Sequence, residues 1–208
     1  MNNRKTGIIL LVFFIILSTV FILYNKQYVH PREFPVYGNP GHKTDTFSFI
    51  NQDGRVVTDK DVAGKVRVVE YFFTTCRGIC PKLNESMNRV YKAYRGNKDV
   101  LLLSHTVDPK QDTAGAMKAY SLKFEADPKQ WMFLTGDKKR LYEMARESYL
   151  ISAVDSSQKV SVEEDFIHDN HFALVDRGGR IRGFYDGLKA NQVDSLIGDI
   201  KALLNTKD

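Results

Sequence analysis

The chain has little cysteine: 208 residues hold two, Cys76 and Cys80. A structural zinc site usually closes with four protein ligands, and no third cysteine exists to help build one. Long Lys/Arg-rich runs are also missing. The formal charge of +5 is a weak imbalance. Without a basic run or a nucleic-acid motif it reads as ordinary surface charge, so no nucleic-acid partner is expected. No internal repeat and no low-complexity tract interrupts the chain.

One long hydrophobic run stands out against this background. Residues 7–24 carry no charge over 18 positions. A helix of that length covers about 27 Å, close to the roughly 30 Å of a hydrocarbon core. A cleaved signal peptide would have a shorter apolar region followed by small residues. Here the run ends in Tyr24-Asn25-Lys26-Gln27, with no A-x-A pattern and no lipobox cysteine. The reading is an uncleaved anchor over 1–25, a single-pass helix in an inner (cytoplasmic) membrane. Arg4 and Lys5 before the span and Lys26 and Arg32 after it give a modest bias, with the N-terminus cytoplasmic and the rest extracytoplasmic. That compartment permits disulfides, so thiols that work in reduced form need a reductant there. Residues 26–41, with Pro31, Pro35 and Pro40, read as a linker, and 42–208 as one domain.

Within the domain, residues 46–51 alternate polar and apolar, Asp53-Gly54 follows, and residues 55–58 resume, which predicts a β-hairpin. A helical turn over 59–64 stops at Gly64. Residues 65–73, rich in β-branched and aromatic side chains, predict a central strand. Pro81 suits the first turn of a helix on which Leu83, Met87, Val90, Tyr91 and Tyr94 share a face. A strand at 100–104, a helix starting at Asp112-Thr113, a strand at 131–136 and a helix capped by Asp137 continue the alternation. Residues 154–164 read as an irregular acidic excursion. A second hairpin over 172–185 and a closing helix over 192–204 finish the chain. This order predicts an α/β fold: parallel strands with right-handed crossovers, an N-terminal β-hairpin and a late β-hairpin insertion. A cysteine pair between the first central strand and its helix points to a thioredoxin-like fold.

Cys76 and Cys80 are four residues apart. If the loop is roughly helical, both side chains point the same way at a Cα separation near ~6 Å, which a disulfide can bridge. A helix N-terminus favours thiolate, and thiolate both attacks and ligates. Three readings stay open on spacing alone: a structural disulfide, a redox pair and a metal site. For a metal site, two sulfurs and an imidazole suit copper. Of the five histidines, His30 and His42 read as solvated linker residues and His105 as a partly buried structural one. His168 and His171 flank the entry to the late hairpin and, by composition, read as surface residues.

Four ordered blocks then carry a resemblance. Phe73-Thr74-Thr75-Cys76-Arg77-Gly78-Ile79-Cys80-Pro81 resembles the F-T-x-C-x-x-x-C-P signature of the Sco/SenC copper proteins. Residues 106–113 resemble the family's S-V-D-P-x-x-D-T segment, and residues 131–136 its L-T-G strand. Asp165-Phe166-Ile167-His168, eight residues before Asp176, resembles the Y-x-V-D-H segment that precedes L-V-D-x-x-G. Ile167 and Asp169 stand where the family often has Asp and Ser. The resemblance covers about residues 42–204. It implies a thioredoxin-like domain that binds one copper ion, Cu(I) or Cu(II), through Cys76, Cys80 and His168. Asp108 then falls at an acidic position near the site, and His171 is a secondary candidate ligand. Arg77, between the cysteines, favours thiolates and slightly opposes a cation.

The implied role is a membrane-anchored metallochaperone, not an enzyme in the strict sense. It would deliver copper to the copper-centre subunit of cytochrome c oxidase or another copper-accepting protein. The runner-up is an extracytoplasmic thiol–disulfide oxidoreductase working through Cys76 and Cys80, served by a thiol reductant. An adaptor with a structural disulfide is the third reading, and nothing beyond the cysteine pair supports a peroxidase.

Overall fold

A computed structural model describes residues 3–28, 34–151 and 169–206. They divide into two compact units between Glu33 and Phe34. The first contains one helix, α1 (Asn3–Tyr28). Its stretch Arg4–Leu23, 20 residues, is long and apolar enough to cross a bilayer. Thr19 sits in this run and donates its hydroxyl to the Ile15 carbonyl, one turn back, at 2.8 Å.

The second unit is built on seven strands. In chain order they and their helices are β1 (Ser48–Asn51), β2 (Val56–Thr58), α2 (Asp59–Val62), β3 (Val66–Phe72), α3 (Cys80–Tyr94), β4 (Val100–Thr106), α4 (Ala114–Ser121), β5 (Trp131–Thr135), α5 (Lys138–Glu143), β6 (His171–Val175), β7 (Ile181–Asp186) and α6 (Ala190–Asn205). A π-helical turn, Met144–Ser148, continues α5. The sheet order is β2-β1-β5-β4-β3-β6-β7. Strands β3, β4 and β5 are parallel, whereas β1 and β6 join them antiparallel. The set β4-β3-β6-β7 with α3 and α6 is the expected thioredoxin-like arrangement.

Strand β3 shows why its sequence is apolar throughout. Val66, Val68 and Phe72 face one core with Leu83 and Met87 of α3 and Leu196 and Ile200 of α6. Val69 and Tyr71 face the other, with Leu141 and Tyr142 of α5. Buried on both faces, the strand has no position for an alternating polar residue. Glu70 and Arg67 are the exceptions.

Both predicted hairpins form. Gly54 takes φ +74°, and the Asn51 side chain accepts the N–H groups of Asp53 and Arg55. The late hairpin is not an insertion: β6 pairs directly with β3, so it completes the central sheet.

Three local expectations change. Strand β4 extends to Thr106 and takes His105 inside, wholly buried and stacked on Tyr71 at 5.0 Å. Alternation puts its ring on the face of Leu101 and Leu103. His42 is not simply solvated; its Nε2 donates to the Ser148 carbonyl at 2.9 Å. Residues 34–41 pack on the second unit: Phe34 lies against its core and Tyr37 N–H donates to the Ile181 carbonyl at 3.0 Å. His30, the excursion at 154–164 and His168 lie outside the described residues.

Candidate metal centre

The chain leaves β3 at Phe72 and turns, with the Cys76 N–H donating to the Phe73 carbonyl at 3.3 Å. The helix starts only at Cys80, so Cys76 stands outside it and the loop is not helical as expected. The first turn of α3 has no capping side chain; its N-cap position is Ile79. Helix starts leave N–H groups without partners. The N–H groups at this helix start, those of Cys80, Gly78 and Ile79, favour the thiolate form of Cys76.

Both cysteines are free thiols, Cys76 half-buried and Cys80 buried. Their environments separate them. Burial works against a thiolate at Cys76, but donation from the Cys80 thiol and from the three N–H groups outweighs it, and its pKa falls below the ordinary thiol value. Burial pushes Cys80 up to about 12, and its bond to Cys76 and the Glu70 carboxyl push the same way. Cys76 is the thiol shifted toward thiolate, and Cys80 is its proton-bearing partner.

Beneath the pair lies a buried polar row. Alternation places Glu70 on the same face of β3 as Phe72. The Ser104 hydroxyl donates to Glu70 Oε1 at 2.5 Å, and Trp131 Nε1 donates to Ser104 Oγ at 2.8 Å. Glu70 Oε2 is buried and has no hydrogen-bond partner among the described residues. Burial lifts this carboxyl to about 7, against the opposing effect of Ser104. Tyr120 is also raised, chiefly by burial and then by the charges of Glu70, Cys80, Cys76 and Asp112.

Beside the pair, Asp112 is wholly buried at the exit of β4. It accepts from Thr74, two residues before Cys76, and from Thr106. Asp108, the predicted acidic neighbour, is half-buried in the same β4–α4 loop, and its N–H donates to Thr106 Oγ1 at 2.9 Å.

The histidine side is read from its flank. The register Val69↔Ala173 puts the start of β6 at the end of β3, where the cysteine loop leaves. His171 opens β6, and its Nδ1 and N–H both meet Asp169 Oδ1, at 2.7 and 2.8 Å. Among the described residues, no three His, Cys, Asp or Glu side chains group to hold a metal ion. The described donors for copper are therefore the two thiols, a soft pair of the kind Cu(I) prefers. His168, the predicted third donor, lies outside the described residues, and His171 and Asp108 are not grouped with the sulfurs.

Sequence reading missed Glu70, Tyr120 and the task of Asp112. A lone acid inside an apolar strand was a signal for Glu70. In the sequence Asp112 reads as a helix start inside the family-like segment 106–113, yet Thr113 caps α4 by accepting the Ala116 N–H.

A family model described as SCO1/SenC matches residues 37–205. The SCO1 protein homolog of Bacillus subtilis is 29% identical over 168 residues, spanning 80% of this chain and 85% of that protein. A solved structure of BsSco, described as having a disulfide switch and belonging to the Sco family of cytochrome c oxidase assembly proteins, matches with a TM-score of 0.66 at 28% identity. That match covers 83% of this chain and 99% of BsSco. A crystal structure of Arabidopsis thaliana ScoI with copper bound matches with a TM-score of 0.60 at 28% identity, covering 78% and 99% of the two chains.

Proposed function

Because the chain belongs to the SCO1/SenC family, we propose that it binds one copper ion through Cys76, Cys80 and His168 and passes it to a copper-accepting partner, the copper-centre subunit of cytochrome c oxidase. The observation that carries this reading is the sulfur pair at the start of α3. It offers two soft donors, one of them half-exposed and shifted toward thiolate by the Cys80 thiol and the helix N–H groups. Thiolates ligate Cu(I), and an imidazole helps accommodate Cu(II). Cys80 gives up its proton on ligation, so binding releases protons. A half-exposed Cys76 keeps the cargo within reach of an incoming ligand.

The copper-bound Arabidopsis relative supports the metal, and the BsSco relative supports the oxidase assembly role. The apolar stretch Arg4–Leu23 supports a single-pass anchor, and the modest positive bias of Arg4 and Lys5 before it supports the domain lying on the extracytoplasmic side. The proposed division is an anchor at 1–25, a linker at 26–41 whose residues 34–41 lie with the domain, and a Sco domain at 42–208.

A second reading draws on the inequality of the thiols. A poised thiolate beside a protonated partner is what thiol–disulfide exchange needs: Cys76 attacks and Cys80 resolves. Oxidising the pair to a disulfide would abolish copper binding, so the two activities exclude each other at any moment. The test is a variant panel in the full-length chain. Copper retained after desalting should fall in Cys76→Ser, Cys80→Ser and His168→Ala. Copper binding undiminished in His168→Ala overturns the three-ligand reading. Reduction of a disulfide-bonded partner peptide that needs both cysteines but not His168 favours the exchange reading.

A further inference from the structure

One buried carboxylate ties the cysteine loop to the neighbouring strand. The Thr74 N–H donates to both oxygens of Asp112, at 3.3 and 3.1 Å, and the Thr74 hydroxyl donates to Oδ1 in a short bond. The Thr106 hydroxyl donates to Oδ2 at 2.5 Å. Thr106 and Phe72 are paired residues, the last of β4 and β3. Asp112 therefore bridges the exits of two adjacent parallel strands, one of which leads into the cysteine loop. Thr106 Oγ1 also accepts the Asp108 N–H, so one chain of bonds runs from Asp108 through Asp112 to Thr74. Helix α4 makes no claim on this carboxylate, since Thr113 is its cap.

We propose that Asp112 is a positioning residue for the cysteine pair, fixing the start of the loop so that the Cys76 and Cys80 sulfurs stay within reach of each other. Hydrogen bonds to a buried carboxylate are short and strong, and an N–H that loses such a partner is left unsatisfied. Without the clamp, residues 73–79 gain freedom at their β3 end. Closing a bond between sulfurs on a freer loop costs more conformational entropy. The inference rests on Cys76 and Cys80 being the working pair, as in the function proposed above, but not on copper.

The test is the dithiol–disulfide equilibrium of the full-length chain in detergent, against a dithiothreitol redox buffer. Cys76 and Cys80 lose two electrons and two protons as their S–S bond forms. Oxidised dithiothreitol takes up both and becomes the dithiol. Asp112→Asn should lower the equilibrium constant for the protein disulfide about tenfold, which is about 30 mV for a two-electron couple. Thr74→Val should do the same, and Thr74→Ser, which keeps the hydroxyl, should restore the parental value. The Asp112→Asn/Thr74→Val double variant should be no worse than either alone. A lowered melting temperature with an unchanged equilibrium constant makes Asp112 merely structural and overturns the proposal. If Asp112→Asn does not fold, the Thr74→Val and Thr74→Ser pair decides by the same criterion. A parental chain that binds no copper would sink the copper reading and leave this equilibrium to be read on its own.

Discussion

Cys76 and Cys80 share a motif and not a chemistry. The difference comes from where the helix begins: the N–H groups of the first turn lower Cys76, which sits before it, while burial within that turn raises Cys80. Alkylation of Cys76 by iodoacetamide should therefore reach half its maximal rate at a pH below the ordinary thiol range. Cys80→Ala removes the S–H donor that helps hold the thiolate. The Cys76 profile should then move to higher pH, with alkylation at pH 7 slowed severalfold. A profile that stays in place would mean the Cys80 thiol does not hold the charge. At this scale the sequence was half legible. The cysteine pair could be named from its spacing, whereas Asp108, expected from the resemblance, is not grouped with the sulfurs. The split between the two thiols could not be read, because it depends on where α3 starts, which Pro81 and the apolar periodicity bracket only loosely. Asp112 was hidden differently: its position before α4 offered a sufficient explanation, and its buried partners Thr74 and Thr106 are distant in sequence.

At the scale of elements, strands and helices were legible in type and order, because β3 and β4 are apolar runs and α3 and α6 carry one apolar face each. Their ends and pairings were not. The β1–β5 pairing joins residues more than 80 apart, and nothing local encodes it. The turn from β7 into α6 shows how tightly the late hairpin is held. A Cβ on Gly187 would stand 2.7 Å from Leu83 Cδ2 of α3 and 2.7 Å from Phe172 Cζ of β6. Both neighbours are core residues, so Gly187→Ala should destabilise the domain by about 1–3 kcal/mol through overpacking. Gly198, exposed inside α6, has nothing within 4 Å of its Cβ position. Gly198→Ala should stabilise by about 0.5–1 kcal/mol through helix propensity. Denaturant titration measures both. Equal effects would show that backbone propensity, and not the Leu83–Phe172 contact, decides at Gly187.

At the scale of the whole molecule, two buried titratable groups should set opposing pH slopes. Burial lowers His105 from 6.5 to about 3. Unfolding then takes up a proton between those values, and stability is lost as pH falls through the window. Burial raises Glu70 from 4.5 to about 7. Unfolding releases that proton, and stability falls as pH rises through this second window. Between pH 4.5 and 6.5 the two contributions oppose each other. Relative to the parent, Glu70→Gln should gain stability with a slope toward higher pH of up to about 1.4 kcal/mol per unit. His105→Phe should tilt the other way. Reading slopes separates titration from any loss of packing, and parallel profiles in all three proteins would contradict the assignment.

The central claim concerns cargo, and the direct measurement is a Cu(I) titration of the reduced full-length chain in detergent, monitored by thiolate-to-copper absorption. One copper per chain is expected, with proton release on binding and no uptake once Cys76 and Cys80 are joined as a disulfide. Absence of uptake by the reduced chain, or equal uptake by the oxidised one, would contradict the account.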